Sequence, residues 1–393
     1  MNFDLLGRTA LLTLAGSRAY GTHLPDSDVD IKGVAIAPAK CYLGFTHGFD
    51  QADKPGNMSV FLPLLTEDEQ RSARTTKLEG TVFNLRKFMK LASECNPNIL
   101  DVLFCRDQEV RLTTPVGTRL RQHRDLFVSA KARFTFAGYA HAQLKRIEGH
   151  RAWLLRPPSH APTRKEFGLP EFTLLPADQL AAAQAAVKDQ MATWDLDLDA
   201  LDPADVENVQ RQVSTKLAEI QTALGFPDPD AAVWLAAARV VGLEENVIYT
   251  LQQERAYENA QHNWKQYMNW KGSRNPERAQ LEAKFGYDCK HAGHLIRLLR
   301  MGVEILETGR VHVWRGPEDD GPGDAQEILS IRHGAWSYDR LMEETGKLDA
   351  HISALYEAKN YVVPRTPPLE KLDALCVQLL EEVFAVDKLG RHA

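Results

Sequence analysis

Fifteen residues, Gly16 to Asp30 (GSRAYGTHLPDSDVD), constrain this chain more than any other stretch. An apolar run from Thr9 to Ala15 leads into them and a second, from Val29 to Ala37, leads out; each reads as a buried strand. A Gly-Ser turn and a Pro-Asp-Ser turn lie between. Asp28 and Asp30 stand two apart where the second strand begins, and a strand's period of two projects both to one face. Two carboxylates so placed can grip one divalent cation or a pair. Gly16 lets a phosphate approach the backbone, and the Ser17 hydroxyl and the amides of the turn can donate hydrogen bonds to it. Metal carboxylates facing a phosphate cradle are the equipment of phosphoryl or nucleotidyl transfer. A strand-turn-strand with an acidic turn and no chemistry explains a bare D-x-D. It does not explain the glycine, the serine, the spacing and the flanking strands together.

The spacing G-S-x(10)-D-x-D is that of the DNA polymerase β-like nucleotidyltransferases. The run GSRAYGTHLPDSDVDIKGV resembles the predicted nucleotidyltransferases of the YcgL/RlaP type within that superfamily. LRKFMKLASECNPNILDVLF, from Leu85 to Phe104, is similar to the same type, as are KHAGHLIRLLR, from Lys290 to Arg300, and Ile331-Arg332-His333-Gly334. The resemblance covers the beginning and end of the chain and leaves the acidic middle unmatched. It implies an α+β fold, with a small mixed-sheet, polymerase β-like palm lobe followed by a large, mostly α-helical lobe. It also implies a third metal carboxylate on a later strand. The acid just before the L-R-K-F helix is Glu79, where aspartate is commoner; Asp101, Glu67, Asp68 and Glu69 compete for the role.

Several classes are excluded by what is absent. No apolar run approaches a membrane span, and MNFDLLGRTALL lacks the basic lead of a signal peptide, so a cytoplasmic protein without a membrane partner is expected. The five cysteines, at 41, 95, 105, 289 and 376, show no C-x-x-C pair and read as buried, reduced thiols. Walker-A, Rossmann and H-E-x-x-H signatures are missing. Net charge is −6, but unevenly spread. Lys131 to Glu166 holds eight Lys/Arg against two acids, Arg255 to Arg315 eleven against six, and Asp178 to Asp230 three against eleven. That alternation suits a chain that holds polyanions in one place and repels them elsewhere; solvated helix faces give similar counts.

The chain is long enough for two domains. A catalytic domain is expected over 1–112, and a helical substrate- and nucleotide-binding domain over 113–393, with an acidic insertion at about 176–232. Aspartates 195, 197 and 199 have the spacing of a calcium loop, but Ala200 replaces its glycine and Val206 its bidentate glutamate. In the helical part, Phe134 to Trp153 mixes aromatics with Lys145 and Arg146 and can grip a phosphate backbone or simply pack. Lys290, His294 and Arg297 fall at i, i+4 and i+7, a cationic stripe beside an apolar face. Val311 to Trp314 and Ile328 to Ile331 read as a small hairpin.

The expected chemistry is nucleotidyl transfer on two Mg2+ ions (Mn2+ also suits the ligands), held by Asp28, Asp30 and Glu79. The NTP substrate would be contacted by Gly16, Ser17, Arg18, Lys290, His294 and Arg297. An RNA end is the expected acceptor. A protein side chain, a small molecule, or a binding protein without catalysis are the alternatives.

Overall fold

A computed structural model describes residues 3–172, 182–183, 185–190, 234, 237–274 and 276–389. Five strands form one mixed sheet: β1 (Thr9–Ala15), β2 (Val29–Ala35), β3 (Gln51–Ala52), β4 (Leu78–Asn84) and β5 (Val110–Thr113), in the order β3-β4-β2-β1-β5. β1 pairs antiparallel with β2 and β5, while β2 and β4 run parallel. Every residue of β1 is buried, as a strand covered on both faces requires. Leu11 and Val34 face a core shared with helices; Leu12, Leu14, Val29, Ile31 and Val82 face a second core closed by Met58, Phe61 and Leu65.

A short helix α1 (Gly16–Tyr20) joins β1 to the loop before β2 and ends at Gly21 in the left-handed region. After β4, Asn84 caps α2 (Leu85–Ser93) through its side chain, and Asn96 caps α3 (Pro97–Phe104), with Pro97 in the first turn. The long helix α4 (Ala132–Leu155) packs against α5 (Cys289–Thr308), which also packs against α6 (Tyr338–Glu357). Gly302 on α5 sits where these helices come closest. A Cβ there would lie 3.2 Å from Ile352 and 3.3 Å from Phe136. The mixed sheet followed by mostly helical chain is an α+β polymerase β-like fold.

The chain divides into two compact units, Met1–Arg156 with Pro276–Ala393, and Pro157–Asn275. The boundary expected at 112 is therefore not where the chain separates. Leu85, Phe88 and Leu100 beside the sheet share one core with Phe136 and Ile147 of α4 and Leu295, Leu298 and Leu299 of α5. Apolar contact, not chain order, decides the division. The second unit contains the helix Glu245–Ser273 and a small core that includes Val187, Trp234, Ile248 and Leu251. Nearly all of the acidic insertion expected at 176–232, including aspartates 195, 197 and 199, lies outside the described residues. Among the described residues, no helix is long and apolar enough to cross a membrane, and all five cysteines are free, four of them buried.

The expected hairpin is absent. Val311 to Arg315 is irregular chain, and Ile328 to Ile331 lies in the helix Ala325–Arg332. The reason is Arg315. Its side chain is fully buried and forms two-pronged pairs with Glu304 (2.7 and 2.8 Å) and Asp324 (2.8 Å twice). Its backbone N–H donates to Tyr20 O at 3.1 Å, and its carbonyl accepts from Ala325 N at 2.9 Å. A backbone spent on these bonds is not available for a ladder. Burial raises the Asp324 carboxyl, but Arg315 and Arg300 outweigh it and hold it below the ordinary carboxylate range. Stability from this pairing is therefore complete above the unfolded aspartate value of about 3.9 and is lost as pH falls through the lower folded value. Arg315→Ala, which leaves two carboxylates facing an emptied pocket, should cost about 3–5 kcal/mol in urea unfolding at neutral pH. The deficit should shrink as the medium is acidified below about pH 4.

Candidate active site

The β1–β2 register pairs Ala15 with Asp30, so the chain turns at Gly16 directly beside the Asp30 carboxylate. Gly16 has φ +60, and a Cβ on it would lie 2.2 Å from Asp30 Oδ2. Glycine is required twice at this point, for the left-handed backbone and for the space the carboxylate occupies. The β2–β4 register pairs Asp30 with Glu79, and parallel neighbours in register point to the same side. Asp30, Lys32, Glu79 and Thr81 thus line one wall of a cleft of about 740 Å³. Gly16 and Tyr20 lie beside them, Tyr139, Gln143 and Arg146 come from α4, and Lys290, His291, His294 and Arg297 come from α5.

Burial pushes the Asp30 carboxyl above its ordinary range; Lys32 lowers it, Glu79 and Asp28 raise it further, and Lys290 lowers it again. Asp30 therefore feels the charges of both Glu79 and Asp28. Asp28 is exposed and is not among the residues lining the cleft. Glu79 is also paired with Lys77. The oxygens of Asp28, Asp30 and Glu79 do not all converge within 4.8 Å. A magnesium site does not need a closed protein cage: one or two carboxylates complete their shell with substrate phosphates and water. Three hard oxygen donors, one of them held above its ordinary pKa by burial and like charge, fit that role.

Three of the four competing acids are committed elsewhere, and the fourth, Glu67, does not line the cleft. Asp101 is buried on α3 and accepts the Tyr20 hydroxyl. Glu69 is paired with Arg111 and closes a capping box with Thr66; Asp68 pairs with Arg71. Of Glu79 and these three, Glu79 alone lines the cleft.

The predicted nucleotide contacts are brought together only in part. Gly16, Lys290, His294 and Arg297 line the cleft, whereas Ser17 and Arg18 do not. The Arg18 guanidinium donates to Ser27 O at 3.4 Å, back across its own turn. His294 is not a cation. Burial, then Arg297, His291 and Lys290, hold its pKa well below the ordinary value, so the expected stripe carries charge only at Lys290 and Arg297. Arg297 is 6% exposed, stacks 3.7 Å over the Tyr20 ring and donates to Met301 Sδ at 3.0 Å. Lys32 was missed by sequence reasoning, although it is two residues beyond Asp30 and the strand period puts it on the same face. Its Nζ donates to Asn98 Oδ1 at 2.9 Å. Burial pulls its pKa down, and the charges of Asp101 and Asp30 pull it back up.

Residues 8–156 match the sequence family described as RlaP, RNA repair pathway DNA polymerase beta family. An uncharacterized 38.9 kDa protein of Enterobacteria phage T4, from the nrdC-mobD intergenic region, is 26% identical over 153 residues. The match covers 38% of this chain and 42% of the phage protein, so the chain spans about two fifths of that relative. No solved structure matches. The family match supports a polymerase β-like family for the sheet-bearing part of the chain; it carries the RlaP name and not the YcgL one.

Two outcomes follow for stability. Gly16→Ala forces a left-handed alanine against Asp30 and should cost about 1–3 kcal/mol in thermal or urea unfolding. Asp30→Asn should stabilise the fold, because the folded carboxyl has a raised pKa and its charge opposes folding above that value. The gain should be full at neutral pH and vanish below the unfolded value of about 3.9, read as urea midpoints across pH.

Proposed function

We propose that the protein is a metal-dependent nucleotidyltransferase that moves a nucleoside monophosphate from an NTP to an acceptor hydroxyl, releasing pyrophosphate, and that the acceptor is an RNA end. One observation carries the reading. Asp30, seated on the Gly16 turn with Glu79 beside it in register, shares a cleft with Lys290 and Arg297. Acidic donors for a cation and basic donors for phosphate thus line the same space. Asp28, Asp30 and Glu79 would hold Mg2+ or Mn2+. When bound, the ion polarises phosphate oxygens and lowers the pKa of a bound hydroxyl.

The chain's own residues do the rest. The acceptor oxygen forms its bond to the α-phosphorus as the bond to the β-phosphate breaks, and Lys290 and Arg297 neutralise the charge that develops on the leaving pyrophosphate. Arg297 is already oriented by the Tyr20 ring, so little reorganisation is needed as that charge appears. The RNA acceptor is supported by the family description and by the basic, aromatic helix α4, which contributes Tyr139 and Arg146 to the cleft. Stacking on a base and pairing with a backbone phosphate are the uses such residues have.

The test is label transfer from each α-labelled NTP in Mg2+ to RNA ends, to protein and to small-molecule hydroxyls. Transfer to RNA is expected, lost in Asp28→Asn and Asp30→Asn while the fold persists, and reduced about 100–1,000-fold in Lys290→Ala. Label on protein or small molecules would reassign the acceptor. Triphosphate binding without transfer to any acceptor would overturn the enzymatic reading.

A further inference from the structure

His150, Asp288 and His291 bring one ligand atom each to within 4.8 Å of one another, a group separate from Asp28, Asp30 and Glu79 and with no part in the chemistry above. Asp288 is fully buried and precedes α5 as its N-cap. Its Oδ1 accepts from the His291 backbone N–H at 3.1 Å, which fixes the carboxylate and leaves Oδ2 facing the two imidazoles. His150 Nδ1 lies 2.9 Å from Oδ2, and His291 Nε2 lies 3.6 Å from it. The other nitrogen of His291, Nδ1, lies 2.7 Å from Gln143 Oε1. An amide oxygen only accepts, so Nδ1 carries the proton, and in the neutral ring Nε2 turns its lone pair toward the carboxylate. Two imidazole nitrogens and one carboxylate oxygen thus gather around a single point, a donor set that a cation can join.

We propose that His150, Asp288 and His291 form a transition-metal site, with Zn2+ the best match, that fastens α4 to the start of α5. Two imidazoles and one carboxylate suit zinc and its first-row neighbours rather than magnesium. Metal–ligand bonds of about 2.0–2.1 Å in a tetrahedral site separate ligand atoms by roughly 3.3 Å. The observed 2.9 and 3.6 Å lie within a few tenths of an ångström of that, and the two imidazole nitrogens lie within 4.8 Å of each other. Gln143 is the outer-shell partner that metal-binding histidines ordinarily have, fixing tautomer and ring orientation. With three protein ligands the fourth position is left for water. The site opens on the side where Gln143 and His291 line the cleft. Lys290 lies between the two α5-end ligands, and His294 and Arg297 follow on the same helix, so fastening its first turn positions all three.

The experiment uses the full chain, stripped with chelator, dialysed and titrated with Zn2+ against a chromogenic indicator in excess Mg2+, with Co2+ absorption reporting geometry. Uptake of about one equivalent with a dissociation constant below about 1 μM is expected, with tetrahedral Co2+ bands. His150→Ala and His291→Ala should weaken it by at least about 100-fold and Gln143→Ala by about 10–100-fold. Asp28→Asn with Asp30→Asn should leave it unchanged. Circular dichroism verifies that each variant is folded, and Gln143→Ala decides if either histidine variant is not. Affinity weaker than about 1 μM in the folded wild-type chain, or affinity unchanged in the folded variants, overturns the proposal and leaves a hydrogen-bonded His-Asp-His group. None of these readouts involves nucleotidyl transfer, so the site stands or falls separately from that activity.

Discussion

The packing of the Asp30 carboxylate on the Gly16 turn is the contact on which the candidate site depends. It joins two requirements that oppose each other. A metal carboxylate must be withdrawn from water enough to hold its cation strongly, yet withdrawal raises the energy of its charged form. Here the burial comes from backbone: β1 ends, glycine leaves no side chain in the way, and β2 begins antiparallel with Asp30 facing that gap. Glu79 and Asp28 then add like charge. The result is a carboxylate at Asp30 whose charge works against folding, as charges at functional sites commonly do.

The second constraint is the shared core. α5 is far from the sheet in sequence, yet its apolar face is buried with α4 and with the helices that cover the sheet. Lys290 and Arg297 share the cleft with Asp30 because α5 buries Leu295, Leu298, Leu299 and Met301 in that core. Arg315 works in the same way. Its buried pairs with Glu304 and Asp324 tie the chain after α5 to the helix that follows, and its backbone holds Tyr20. Tyr20 in turn supports Arg297 through its ring and binds Asp101 through its hydroxyl. A polar network that reaches the cleft through Tyr20 thus helps set the position of Arg297 inside it.

Local pattern was enough for much of this. The apolar runs around GSRAYGTHLPDSDVD became β1 and β2 because continuous burial and a period of two are properties of short stretches. The same period makes Lys32 readable from the sequence, two residues beyond Asp30 on the same strand. Glu79 was harder. Its place beside Asp30 comes from the parallel pairing of β2 and β4, a register between strands nearly fifty residues apart. Val311 to Trp314 misled, since alternating apolar residues look like a strand whether or not a neighbour exists to pair with. His294 misled because a histidine's charge is set first by burial, which other elements supply, with Arg297, His291 and Lys290 of its own helix adding to it.

By itself, the sequence determined the strand-turn-strand, the acidic pair at its end, the capped helices after β4 and the amphipathic face of α5. Each follows from spacing within a few turns of chain. Tertiary structure alone decided that the division falls at 156 and 276 rather than at 112, that Glu79 and not Asp101 lines the cleft, that the stripe on α5 carries two charges instead of three, and that His150 meets Asp288 and His291. The physical reason is common to all four. Burial, and the ionisation and contacts that burial controls, depend on which surfaces meet, and surfaces of separate elements meet only once the chain has folded.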